Sequence, residues 1–144
     1  MKSRMIIAAL ALAMVFGART FADDAAKPEA KCPVSGKAIN KEVSADFEGG
    51  KVYFCCEGCP GPFEKDTAKY GAKARHQMCL TGQLEQIHCP IAHKAFKAEQ
   101  STDVGGVEVK FCCGNCKGKV EKMTDDEKVA ACFGKADCFK AVTK

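Results

Sequence analysis

The chain has 144 residues, with 22 basic and 18 acidic side chains and a formal charge of +4 at pH 7. Its 11 cysteines, two tyrosines and absence of tryptophan exclude a fold held mainly by a large aromatic core and require a staple, covalent or metallic, because small units gain little from burial alone. Acids are interspersed among the lysines, which excludes the clustered positive footprint of a nucleic-acid binder.

From the N-terminus, Lys2 and Arg4 precede an apolar run over 5–18 that ends near Thr20, Phe21 and Ala22. A charged start, a short apolar stretch and a small residue at the end predict a secretory signal peptide over 1–22. A membrane anchor is the competing reading, but the run falls short of the about 20 apolar residues a spanning helix needs. No cysteine follows until Cys32, so lipoprotein attachment is not expected. Cleavage after Ala22 predicts an exported protein, periplasmic or extracellular, in which 19 basic residues face 18 acidic ones. Residues 23–31, polar and rich in alanine, are expected to form a flexible N-terminal segment.

Residues 32–65 align without a gap onto 89–122 at a constant offset of 57, with 16 of 34 positions identical. The chain is therefore an internal duplication, its copies joined by residues 66–88. In the first copy Val43, Ala45 and Phe47 alternate with polar residues, as do Val52 and Phe54 after Gly49 and Gly50. Two period-two runs around a diglycine predict a β-hairpin. Val107, Val109 and Phe111 after Gly105 and Gly106 predict the same hairpin in the second copy. A short helix is expected after each hairpin. Pro60 and Pro62 suit a first helical turn. Thr124 and Glu127 have capping-box spacing ahead of residues 129–133, and Gly134 supplies a stop.

Each copy carries the same four cysteines: Cys32, Cys55, Cys56 and Cys59, then Cys89, Cys112, Cys113 and Cys116. The first stands in a Cys-Pro turn and the other three follow 22 residues of hairpin. A hairpin returns the chain to its start, so turn and cluster can meet. Cys-x-x-Cys at a helix start places two sulfurs near N–H groups that favour thiolate. Converging thiolates bind a soft or borderline ion, Zn²⁺ or Cu⁺. Structural disulfides, which an oxidising compartment permits, and redox exchange through the Cys-x-x-Cys pairs are the alternatives. Adjacent cysteines are awkward to bridge, and the total is odd.

The order Cys-Pro, hairpin, Phe-Cys, three residues, Cys resembles the TRASH and YHS group of small treble-clef-like metal-binding domains. Cys32, Phe54, Cys55 and Cys59 carry the resemblance in the first copy, and Cys89, Phe111, Cys112 and Cys116 in the second. It implies an α+β fold of two treble-clef-like modules, over 32–80 and 81–144, each a cysteine turn, a β-hairpin and a short helix. It further implies heavy-metal sensing, trafficking or storage. By the family pattern Cys55 is the ligand, whereas treble-clef geometry favours Cys56. Ser35 and Ala92 stand where a second turn ligand is often found, and the Tyr-His-Ser tripeptide is absent.

Outside the quartets, His93 stands where the first copy has Gly36 and is a candidate to complete the second site. His76 and His88 lack partner spacing and are expected at the surface. Two of Cys79, Cys132 and Cys138 are expected to pair as a disulfide. No catalytic constellation is present, so a non-enzymatic metal binder is expected, its partners being metal ions and a membrane metal transporter or other exported protein. An interaction module with purely structural zinc or disulfides, and a thiol-disulfide oxidoreductase, are the alternatives.

Overall fold

The computed structural model describes residues 28–143. The expected signal peptide and residues 23–27 lie outside them. The order is β1 (Asn40–Phe47), β2 (Gly50–Phe54), α1 (Pro60–Lys65), α2 (Thr67–Leu80), β3 (Leu84–Gln86), β4 (Lys97–Val104), β5 (Val107–Phe111), α3 (Gly114–Glu121), α4 (Asp125–Phe133), a 3-10 turn (Ala136–Cys138) and β6 (Phe139–Ala141). The fold is α+β. Strands β1 and β2 form one antiparallel hairpin, β4 and β5 another, and β3 pairs with β6. Among the described residues no helix is long and apolar enough to cross a membrane.

Both hairpins form where period two predicts them, with one correction to the first turn. Its two central residues are Glu48 and Gly49, with φ of 48° and 82°, one position earlier than the diglycine indicates. In the second, Gly105 and Gly106 hold φ of 60° and 86°. Positive φ at both central positions is the turn whose twist matches a hairpin. Gly50 opens β2 instead, where a Cβ would lie 2.5 Å from Met78 Cε.

Helix α1 starts with proline in its first turn. At α4 both halves of the predicted capping box form, and the Thr124 N–H donates to Glu127 Oε2 at 2.9 Å. Helix α2, which fills most of the joining segment, is not among the elements the sequence predicts. The Asp66 side chain caps it, accepting from the Lys69 N–H at 3.0 Å. Its buried positions include Gly71, Ala74 and Gln77, too small or too polar to register as an apolar stripe.

A single hydrophobic cluster runs through both copies. Val52, Phe54 and Phe63 come from the first, Val104, Val109, Phe111 and Val120 from the second, and Ala74 and Met78 from α2. Helix α2 packs on α4. Arg75 braces the same junction, with Nε donating to Glu48 Oε2 at 2.7 Å and a terminal N–H to the Phe133 carbonyl at 2.9 Å. His76 is not the surface residue its lack of spacing predicts. Its Nε2–H donates to the carbonyls of Val104 at 3.0 Å and Gly105 at 3.1 Å, and its ring meets Phe133 edge-on at 5.0 Å. Burial pushes the His76 pKa down, partly opposed by the two carbonyls and by Asp103. His88 is exposed.

Glutamine side chains close the open edge of each hairpin. Gln77, 1% exposed, accepts from the Tyr53 N–H at 2.7 Å and donates to the carbonyls of Tyr53 at 2.7 Å and Lys31 at 2.9 Å. In the second copy Gln86 accepts from the Lys110 N–H at 2.9 Å and donates to the carbonyls of Lys110 at 2.6 Å and His88 at 2.9 Å. Lys110 and His88 are the counterparts of Tyr53 and Lys31 at the offset of 57. A primary amide presents one acceptor and two donors, so it substitutes for a neighbouring strand at an otherwise unpaired edge. Each clamp also ties the residue before the turn cysteine to the strand leading into the cysteine cluster.

Candidate metal centres

The two Cys-Pro turns have the same backbone. Cys32 N–H donates to the Lys37 carbonyl and Gly36 N–H to the Cys32 carbonyl, both at 2.8 Å, and Cys89, Lys94 and His93 repeat both bonds at 2.8 Å. The turn folds Cys32 inward beneath the end of β2. Phe54, fully buried two residues before Cys56, anchors that strand end in the core.

Sulfur atoms of Cys32, Cys55 and Cys59 lie within 4.8 Å of one another, as do those of Cys89, Cys112 and Cys116. The adjacent cysteines lie at the edge of these gatherings. Cys56 Sγ is 3.7 Å from Cys55 Sγ and 3.6 Å from Cys59 Sγ, and Cys55 and Cys59 are 3.6 Å apart. The corresponding distances among Cys112, Cys113 and Cys116 are 3.8, 3.7 and 3.7 Å. These are well beyond the about 2.05 Å of a disulfide bond, and the quartet cysteines are free thiols. Cys32, Cys59, Cys89 and Cys116 are buried, Cys55 and Cys112 half-buried, and Cys56 and Cys113 exposed. Six of the predicted site residues thus come together as two trios, and Cys56 and Cys113 each lie beside two members of a trio while standing outside the mutual 4.8 Å grouping with Cys32 and Cys89.

The thiols of each group differ in acidity. Burial opposes ionisation of Cys32, but hydrogen bonds from the Ser35 hydroxyl and from the backbone of Ser35, Cys55 and Val34 outweigh it and bring Cys32 to about 7. For Cys89 burial is likewise outweighed, here by the backbone of Cys112, Ala92 and Ile91 and by the Cys112 thiol, and the pKa falls. The backbone of Gly58 holds Cys56 low, and that of Cys116 holds Cys113 low, each helped by neighbouring thiols. Burial and the surrounding sulfurs push Cys59 and Cys116 up to about 12. A buried thiol beside more acidic ones stays protonated until a cation displaces its proton.

Ser35, in the place of a further turn ligand, sets its Oγ 3.1 Å from Cys55 Sγ. It hydrogen-bonds the Cys55 thiol, and Ala92 offers no equivalent. His93 does not join the second quartet. Its Nδ1 lies 2.9 Å from Asp137 Oδ2 and 3.6 Å from Cys138 Sγ. The expected disulfide among Cys79, Cys132 and Cys138 does not form, because Cys132 and Cys138 are both free thiols. Cys138 turns toward His93, and burial pushes Cys132 up to about 12. Asp137 was not singled out in the sequence. The available signal was the break in the repeat, a histidine and an acid-cysteine pair with no counterpart in the first copy.

The fold and the site together define a small α+β protein with two cysteine clusters geometrically able to hold a metal ion. Compared with protein-family models, curated proteins and solved structures, the chain matches none.

Proposed function

We propose that this chain is an exported, non-enzymatic metal-binding protein that holds one Zn²⁺ or Cu⁺ in each cysteine quartet and buffers or carries it, delivering it to a membrane transporter or another exported protein. On this reading it is a divergent tandem member of the TRASH and YHS group, with modules over 32–80 and 81–144. The observation that carries the proposal is the convergence of three sulfurs in each of two duplicated sites, with a fourth thiol beside two of them.

Exposure favours a carrier over a purely structural site. Cys56 and Cys113 form one solvent-facing corner of each quartet, where an incoming thiolate or imidazole can replace them one ligand at a time. The same exposed-then-buried Cys-x-x-Cys order would suit a thiol-disulfide oxidoreductase, but a third and fourth converging sulfur have no role in that chemistry.

Capture of zinc from the loaded, reduced protein by a chromogenic chelator tests the carrier reading. Transfer should run at least tenfold faster than global unfolding measured under the same conditions. Cys56→Ser and Cys113→Ser should change the transfer rate of their own site. Release no faster than unfolding would make both sites structural.

A further inference from the structure

We infer that the second copy carries a third metal site, separate from its quartet, in which His93 Nδ1, an Asp137 carboxylate oxygen and Cys138 Sγ hold a borderline divalent transition ion such as Zn²⁺ or Co²⁺. The three donors lie within 4.8 Å of one another. His93 comes from the end of the Cys89 turn, and Asp137 and Cys138 from the 3-10 turn that leads into β6.

The separations fit a small ion. With nitrogen and oxygen at about 2.1 Å and sulfur at about 2.3 Å, tetrahedral ligation sets the sulfur roughly 3.6 Å from each of the other donors and nitrogen roughly 3.4 Å from oxygen. Cys138 Sγ lies 3.6 Å from His93 Nδ1 and 4.0 Å from Asp137 Oδ1, and His93 Nδ1 lies 2.9 Å from Asp137 Oδ2. These two aspartate distances are to different oxygens of one carboxylate, and turning the Asp137 side chain so that a single oxygen moves about half an ångström away from His93 and nearer Cys138 brings the three donors into this range. Cys138 is fully buried, with its sulfur facing these two groups and the Cys89 carbonyl at 3.7 Å. Asp137 and His93 remain 68% and 35% exposed in their side chains, which leaves the fourth position open to water or an incoming ligand.

The backbone supplies an independent argument. Gly36 holds φ of 72° in the first copy, and His93 holds φ of 53° at the matching position. A side chain in the left-handed region costs free energy that glycine avoids, and such residues concentrate at functional sites. The mixed donor set excludes Mg²⁺ and Ca²⁺, which take oxygen alone, and disfavours Cu⁺, which prefers sulfur. Lys135 Nζ lies 2.7 Å from His93 Nε2, which places the ring proton on Nδ1, toward Asp137. On metal binding that proton moves to Nε2, the exposed lysine swings away, and the Cys138 thiol releases one proton to solvent.

Zinc titration of the reduced full chain against a chromogenic competitor tests the assignment. The parent protein should take up three equivalents, the third more weakly than the first two. His93→Gly, which installs the residue the first copy has there, and Asp137→Asn should each weaken the third equivalent more than about 100-fold, since even outer partners of a ligand contribute about 10- to 100-fold. Both should retain the first two. A third equivalent that persists in both variants, or its absence from the parent, overturns the proposal. Because the third ion is counted as the difference between parent and variants, empty quartets would lower all counts equally and leave that difference readable.

Discussion

Stripping the metal with a high-affinity chelator under reducing conditions should abolish the cooperative thermal transition or lower its midpoint by more than about 20 °C. Apparent binding free energies of structural zinc sites reach about 10–16 kcal/mol, and binding free energy is folding free energy where the unfolded chain has no site. Whole domains are stable by only about 5–15 kcal/mol, and each lost kcal/mol lowers the midpoint by roughly 3–5 °C at this chain length. The position of the clusters gives the reason to expect an effect of this size. Cys32, Cys59, Cys89 and Cys116 belong to the same buried cluster as Phe54 and Phe111, so each quartet is a wall of the core rather than an appendage. Once the ion leaves, four polar thiols converge with only weak sulfur contacts to hold them. Calorimetry before and after chelation, with reductant to prevent substitute disulfides, measures the effect. An unchanged melting curve after complete removal would show that packing alone maintains the fold.

Gln77→Leu should destabilise the protein by roughly 3 kcal/mol and weaken metal binding at the first quartet more than at the second. Leucine is similar in size but leaves the Tyr53 N–H and the carbonyls of Tyr53 and Lys31 without their partner. Each buried group left unsatisfied costs about 1–3 kcal/mol, with part regained from water or local relaxation. The asymmetry follows from position. Lys31 precedes Cys32, and Tyr53 stands two residues before Cys55, so the amide holds the turn and the strand at the spacing the sulfurs need. Gln86 performs that service for Cys89 and Cys112 through different residues. Denaturant melts combined with site-resolved zinc competition distinguish this from general loosening, which would weaken both quartets alike.

The two cysteine clusters, both hairpins and the α4 cap were legible in the sequence because each rests on local pattern: a fixed offset of 57, alternation of Val and Phe with polar residues, and the Thr124 to Glu127 spacing. The turn at Glu48 and Gly49 was placed one residue late, since Gly50 is required by Met78 packing and not by turn geometry. Helix α2 was not legible because its buried face is mostly Gly71, Ala74, Gln77 and Met78, with a branched aliphatic residue, Leu80, only at its end. The glutamine clamps left no signal, as Gln77 and Gln86 do not correspond under the repeat and their partners are backbone groups. Nor did spacing reveal that His93 meets Asp137 and Cys138, because the contact joins a turn to a segment more than 40 residues away.

Each quartet is expected to hold one metal ion. Native mass spectrometry of the reduced protein, purified without added metal and then given zinc, counts the ions directly. The parent chain should show at least two tightly bound ions, with Cys59→Ser and Cys116→Ser each losing one of them and the double variant losing both. A parent chain that binds none, with its eight quartet sulfurs recovered as disulfides when reductant is withheld, would contradict the account.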